Sequence, residues 1–117
     1  MEEGAFLIHQ GDQSNEIYFI EAGLISAQLE LPNGKTLRLR SMRGGTTVGE
    51  IGMYLGDTRT ASVIADRPSI VHRLSKDAVK KMEKNDPEVA AFLHQWIATL
   101  LAERLADNNR TIEALLE

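Results

Sequence analysis

The chain has 117 residues, 43% of them hydrophobic and 26% charged, which is the balance of one ordinary globular domain with a proper core and too little length for a regulatory module plus an effector. Its formal net charge of −4 argues against nucleic acid or an anionic membrane as the main partner, since such surfaces need a surplus of Lys and Arg, but an anionic ligand can still be held by local charge. Without cysteine there is no disulfide framework and no thiolate metal site, and with no membrane-length apolar run and no basic n-region in Met1-Glu2-Glu3 the expected location is the cytoplasm or the cytosolic face of a membrane protein.

In the first half, Gly11, Gly23, Gly34, Gly45 and Gly56 recur about every eleven residues between short apolar or alternating runs, the spacing of a β-barrel or sandwich with turns at both ends. Residues 24–31 alternate in part, and Pro32-Asn33-Gly34 signals a turn in which Asn-Gly suits the positive φ of a tight hairpin. Residues 36–42 alternate cleanly, with Leu37, Leu39 and Ser41 on one face and Arg38 and Arg40 on the other. Two further strands, 61–65 and 69–74, flank a turn at Asp66-Arg67-Pro68.

Between these strands lies a segment from Val48 to Val63 that reads as a phosphate-binding loop. Gly49, Gly52 and Gly56 let the main chain approach a ligand closely, so that several N–H groups can converge on one anion. Arg59 supplies a planar fork of donors for phosphate oxygens and Thr60 a hydroxyl. Glu50 is the odd member, because a carboxylate repels phosphate; it must face a hydroxyl-bearing part of the ligand or hold Arg59 in place. A sugar phosphate satisfies both.

After Leu74 the period changes from two to about 3.6. Ser75 is a suitable N-cap for a short helix through Lys84 with Val79 and Met82 inward. Asn85-Asp86-Pro87 ends it and opens a second helix, with Asp86 as N-cap and Pro87 in first position. Val89, Phe92, Leu93, Trp96, Ile97, Leu100, Leu101, Leu105, Ile112, Leu115 and Leu116 form an apolar stripe of about eight turns, longer than a small barrel can cover, which predicts a homodimer through this helix.

Gly49-Glu50-Ile51-Gly52, followed nine residues after Glu50 by Arg59-Thr60-Ala61, closely resembles the phosphate-binding cassette of cyclic nucleotide-binding domains, the family found in protein kinase regulatory subunits, cyclic-nucleotide-gated channels and the bacterial catabolite activator protein. Phe6-Leu7-Ile8-His9-Gln10-Gly11-Asp12 and Ile17-Tyr18-Phe19-Ile20-Glu21-Ala22-Gly23 are similar to earlier strands of that family, so the resemblance covers essentially the whole chain. It implies a mainly β fold, a jelly-roll β-barrel of the double-stranded β-helix type over about residues 4–74, followed by a short and a long C-terminal helix over about 75–116. The short helix and first strand that usually open the family's domain are absent or reduced to residues 1–5, so a domain excised from a longer protein is expected.

The implied ligand is cyclic AMP or cyclic GMP, and Thr60 does not decide between them. On this resemblance Glu50 accepts a hydrogen bond from the ribose 2′-hydroxyl, Arg59 pairs with the exocyclic phosphate oxygens, and N–H groups near Ile51, Gly52 and Ala61 complete the cradle. Ala27, Leu39 and Val48 fall where the family lines the base pocket, although core packing explains them equally, and Arg40 either stacks on the base or is solvated. Leu105-Ala106-Asp107-Asn108-Asn109 aligns with the segment through which the catabolite activator contacts adenine, and Asn108 and Asn109 carry the donor and acceptor that a purine edge requires. Leu100-Leu101-Ala102-Glu103-Arg104-Leu105 resembles domains appended to bacterial sulfate-transporter-like proteins, which points to a fused, transporter-like effector.

His9, His72 and His94 are scattered without the spacing of a metal site, Trp96 reads as core or interface, and Lys76, Lys80, Lys81 and Lys84 read as a solvated helix face. No nucleophile has a base and an orienting partner. The expectation is a non-enzymatic sensor without cofactor; a ligand-free dimerisation module of the same fold is the alternative, and a metal-dependent cupin lacks its ligands.

Overall fold

The computed structural model describes the chain except Ser14, Asp57 and Glu117, and the main chain but not the side chain of Ile51. Seven strands run in the order β1 (Phe6–Ile8), β2 (Glu16–Ala22), β3 (Leu24–Glu30), β4 (Thr36–Arg43), β5 (Thr46–Val48), β6 (Ser62–Ala65) and β7 (Ile70–Ser75), with helix α1 (Glu50–Leu55) between β5 and β6 and helices α2 (Lys76–Asn85) and α3 (Pro87–Leu116) after β7. The strands form two antiparallel sheets, ordered β1-β6-β3-β4 and β5-β2-β7. The predicted jelly-roll β domain with C-terminal helices is present, as two facing sheets instead of one barrel closed by hydrogen bonds.

Its core is an apolar cluster to which both sheets contribute: Ile8, Ile25, Met42 and Val63 from one, Ile20 and Val48 from the other. Ile17, Ile20 and Ile25 are buried essentially completely, each contributing about 1.5–3 kcal/mol relative to exposure. Ile17 lies on the opposite face of β2 from Ile20, so this central strand is buried on both sides and its hydrophobic residues do not alternate simply. The evenly spaced glycines all have positive φ and mark chain reversals, as the rhythm predicts.

Two local expectations need correction. In the β3–β4 hairpin only Gly34 takes a positive φ, of 82°; Asn33 instead accepts the Lys35 N–H on its Oδ1 at 3.0 Å, the Asx-type use of that side chain. In β4 the register slips, with Ala27 opposite Arg40 but Gln28 opposite Arg38, so Leu39 is the extra residue of a β-bulge. The predicted alternation breaks there: Leu37 and Leu39 are 51% and 52% exposed, and Arg38 and Arg40 pair with adjacent residues of β3 and therefore occupy opposite faces. A periodicity count cannot detect a bulge, because the inserted residue is set by pairing with the neighbouring strand.

The chain divides into two compact units, 1–78 and 79–117. Ser75 accepts the Ala78 N–H on its Oγ at 3.1 Å, as its N-cap assignment predicts. Within the helical unit the Asp86 carbonyl accepts the first bond of α3, from Ala90 N–H at 3.1 Å, with Pro87 in first position. His94 faces Glu83 across α2 and α3 at 3.5 Å. On α3, Phe92, Leu105, Leu115 and Leu116 are 62–82% exposed. Phe92 lies about 140° around the helix from the buried Ile97, at about 100° per residue, and so falls outside the predicted stripe. Among the described residues no helix is long and apolar enough to cross a membrane.

Candidate functional site

The segment read as a loop contains a short helix. β5 ends at Val48; Gly49, with a φ of 87°, turns the chain into α1 at Glu50, and Gly56 closes the helix at φ 73° with its N–H on the Gly52 carbonyl at 2.7 Å. Six residues with a glycine among them are too few to show helical periodicity, so the helix was not legible. It forms because it is bracketed by two left-handed glycines and buries Met53 to 4% exposure. The first ladder bond runs from Met53 N–H to the Gly49 carbonyl at 3.2 Å, which places the Ile51 and Gly52 N–H groups ahead of the ladder, where helices favour negative charge.

Arg59 is 9% exposed, in the segment that reads as a phosphate-binding loop. Its guanidinium donates from Nη1 to the Gly49 carbonyl at 3.0 Å and from Nη2 to the Glu16 carbonyl at 2.7 Å. Both acceptors are neutral, so among the described residues the side chain is oriented without a carboxylate bonded to it. A Cβ on Gly49 would stand 2.7 Å from Nη1 and 2.8 Å from the Glu16 carbonyl oxygen; glycine is required there for the close approach as well as for its φ. Burial lowers the Arg59 pKa from its ordinary value, and the charges of Tyr18, Glu16 and Glu50 raise it again. The group remains a cation, as arginine does throughout the accessible pH range.

Glu50 is 5% exposed, at the start of α1, and accepts a hydrogen bond from Thr47 Oγ1 at 3.3 Å. A buried carboxylate needs such partners. Beside Arg59, Tyr18 donates to Glu16 Oε2 at 3.1 Å and Arg73 Nε approaches the same oxygen at 3.2 Å. Burial above all, then the hydrogen bond and charge of Glu16, raise the Tyr18 pKa, against the opposing charges of Arg59 and Arg73. The Arg59 main chain is held as well: its N–H donates to the Asp12 carbonyl and its carbonyl accepts from Gly11 N–H, both at 2.8 Å.

Gly49, Glu50 and Arg59 are therefore brought together as predicted, one fixed cation and one fixed carboxylate about a tight main-chain elbow. Gly52 is buried within α1, Thr60 is exposed and Ala61 half-buried, while the Ile51 side chain lies outside the described residues. Ala27 and Arg40 face each other across β3 and β4, both half-buried; Val48 belongs to the core cluster, and Leu39 stands on the bulge. Asn108 and Asn109 are exposed residues of α3. Thr47, Glu16 and Tyr18 were not anticipated. Thr47, three residues before Glu50, offered a faint signal, whereas Glu16 acts on Arg59 through its main chain and offers none. Among the described residues no group of three metal-ligating side chains is clustered.

Residues 1–86 match the family described as cyclic nucleotide-binding domain. The chain belongs to this family. Its domains are ligand-binding regulatory modules, and longer proteins carry them. Glutaminase 2 of Bradyrhizobium diazoefficiens is 30% identical over 112 residues, 96% of this chain and 17% of that protein. The Pycsar effector protein XpPycTIR of Xanthomonas perforans is 32% identical over 117 residues, 97% of this chain and 35% of that protein. The chain thus spans about a third or less of the length of these curated relatives. The crystal structure of a cyclic nucleotide-binding domain from Methylobacillus flagellatus shares the fold, with a TM-score of 0.88 over 97% of this chain and 64% of that one at 24% identity.

Proposed function

We propose that this cyclic nucleotide-binding domain is a non-enzymatic sensor of cyclic AMP or cyclic GMP that relays occupancy through α3 to a fused or partner effector. The observation that carries the reading is the pairing of Arg59, buried and oriented by two neutral carbonyls, with Glu50 at the head of α1. Arg59 and the N–H groups of Ile51, Gly52 and Ala61 take the cyclic phosphate. Glu50, steadied by Thr47, accepts from the ribose 2′-hydroxyl. The base rests against Ala27, Leu39, Arg40 and Val48, and Asn108 and Asn109 supply the donor and acceptor for its edge.

Ligand binding shifts the position of α3 only by the difference in affinity between its two arrangements. The exposed apolar residues of α3 suit a second copy of the helix, so the working unit is a homodimer in the cytoplasm or at the cytosolic face of a membrane protein; a transporter-like protein is one candidate effector. Calorimetric titration with cyclic AMP and cyclic GMP tests the reading, and saturable one-to-one binding of either is expected. Binding of neither would leave the ligand-free dimerisation module as the better account. Sedimentation should give a dimer at tens of micromolar, weakened by truncation after Ala106, which removes Ile112, Leu115 and Leu116; a monomer with and without ligand would remove the dimer.

A further inference from the structure

Gln10 has a set of contacts that its place in a surface turn does not explain. Its side chain makes a reciprocal pair with the main chain of Glu30, the last residue of β3: Oε1 accepts the Glu30 N–H at 2.7 Å and Nε2 donates to the Glu30 carbonyl at 3.3 Å. The amide group thus extends β3 by imitating the peptide of a neighbouring strand. The Gln10 N–H donates to Ser62 Oγ at 2.9 Å, and that hydroxyl donates to Glu30 Oε1 at 3.1 Å. Ser62 is 1% exposed, so this end of the network is fixed in the core sheet.

The next two residues are the ones that hold the main chain of Arg59. Gly11 donates its N–H to the Arg59 carbonyl and Asp12 accepts the Arg59 N–H, both at 2.8 Å. One turn therefore carries two reciprocal pairs, one to Glu30 and one to Arg59. The guanidinium is fixed by Gly49 and Glu16, but the origin of its side chain is fixed by Gly11 and Asp12.

We infer that Gln10 is a positioning residue for the phosphate-binding arginine: through its double bond pair to Glu30 it sets the height of the Gly11–Asp12 turn, and through that turn the main chain of Arg59. It touches no ligand. The inference rests on the proposed role of Arg59, and the mechanism is geometric, since a shift of the turn by a fraction of an ångström moves the whole guanidinium off the line of its acceptor.

The test is a double-mutant cycle on the 117-residue chain, with Gln10→Met to keep volume while removing the amide and Arg59→Lys to weaken phosphate binding without abolishing it. Cyclic AMP and cyclic GMP serve as titrants, and amide hydrogen exchange at Arg59 is followed by NMR. Gln10→Met should weaken binding about tenfold in the parent through misplacement of Arg59, less than the roughly hundredfold that a full ångström of misplacement can cost, by less than about twofold in the Arg59→Lys background, and should speed exchange of the Arg59 amide in the folded protein. Equal losses in both backgrounds, or no loss in the parent while Arg59→Lys loses affinity, would overturn the inference. If neither nucleotide binds the parent, the sensor reading fails on its own and the exchange experiment still decides, because unchanged protection at Arg59 overturns the positional link. Should Gln10→Met fail to fold, Ser62→Ala releases the same turn from its other anchor and is expected to give the same pattern, weaker.

Discussion

Two arginines in the β domain are both hydrogen-bonded, yet to partners of different charge. Arg38 is exposed on β4 and donates to Asp66 through Nη1 at 2.6 Å and Nη2 at 3.4 Å; Asp66 also accepts from Ser26 Oγ at 3.1 Å. The hydrogen bond to Asp66 raises the Arg38 pKa, and the same bond lowers that of Asp66 with help from Ser26. Arg59 is buried and bonded to neutral carbonyls. The first guanidinium is bonded to a carboxylate, whereas the second is bonded to main-chain carbonyls among the described residues and feels Glu16 and Glu50 only through their charge, so being hydrogen-bonded does not by itself tell the two surroundings apart. What matters is whether the partner carries the opposite charge.

The contrast is sharpest in a pair of alanine substitutions. Arg59→Ala should lower cyclic nucleotide affinity by on the order of a hundredfold or more, since it deletes charge-assisted bonds of about 1.5–3 kcal/mol each, while Arg38→Ala should leave affinity unchanged; calorimetry on both checks this, and equal effects would erase the distinction. Arg59→Ala also strands the Gly49 and Glu16 carbonyls, so a stability loss of about 1–3 kcal/mol by urea denaturation is expected beside the binding loss.

Gly49→Ala should come next. The new Cβ would stand 2.7 Å from Arg59 Nη1 at a φ of 87°, a conformation costing an L-residue about 1–2 kcal/mol, and the guanidinium must move. Roughly tenfold weaker binding together with a lower melting temperature is expected; unchanged affinity would mean that the aim of Arg59 is unimportant. Glu50→Ala should remove discrimination between a cyclic ribonucleotide and its 2′-deoxy analogue, about a tenfold preference in the parent. Equal losses for both ligands would make Glu50 an organiser of the loop only.

The smallest effect belongs to the other arginine's partner. Because the Asp66 pKa is lowered on folding, its ion pair stabilises the native state above the ordinary carboxylate value near 3.8, and that contribution is lost as pH falls below this through the lowered folded value. Asp66→Asn should therefore flatten thermal stability across that acid window, modestly because the pair is exposed, and leave nucleotide affinity untouched at neutral pH. A loss of affinity at neutral pH would tie the Asp66 corner to the site.

Much of this was legible in the chain. The strands other than the three-residue β5, the helix start at Ser75, the Asp86-Pro87 cap and the meeting of Gly49, Glu50 and Arg59 all follow from residue types at fixed spacing. The bulge at Leu39 and the helix α1 were not, the first because register depends on a partner strand and the second because six residues are too short to display a period.

The residues alone determined the β domain followed by helices, and a cationic and an acidic side chain brought to one glycine-rich turn, because local propensity and spacing act within a few residues of each other. Only the tertiary structure decided that Arg59 is buried and held by the carbonyls of Gly49 and Glu16, and that its main chain rests on the turn anchored by Gln10. Those bonds join positions up to 52 residues apart, as in Gln10 to Ser62, and each uses at least one main-chain group, which carries no residue-specific signal, so no side-chain pattern announces them.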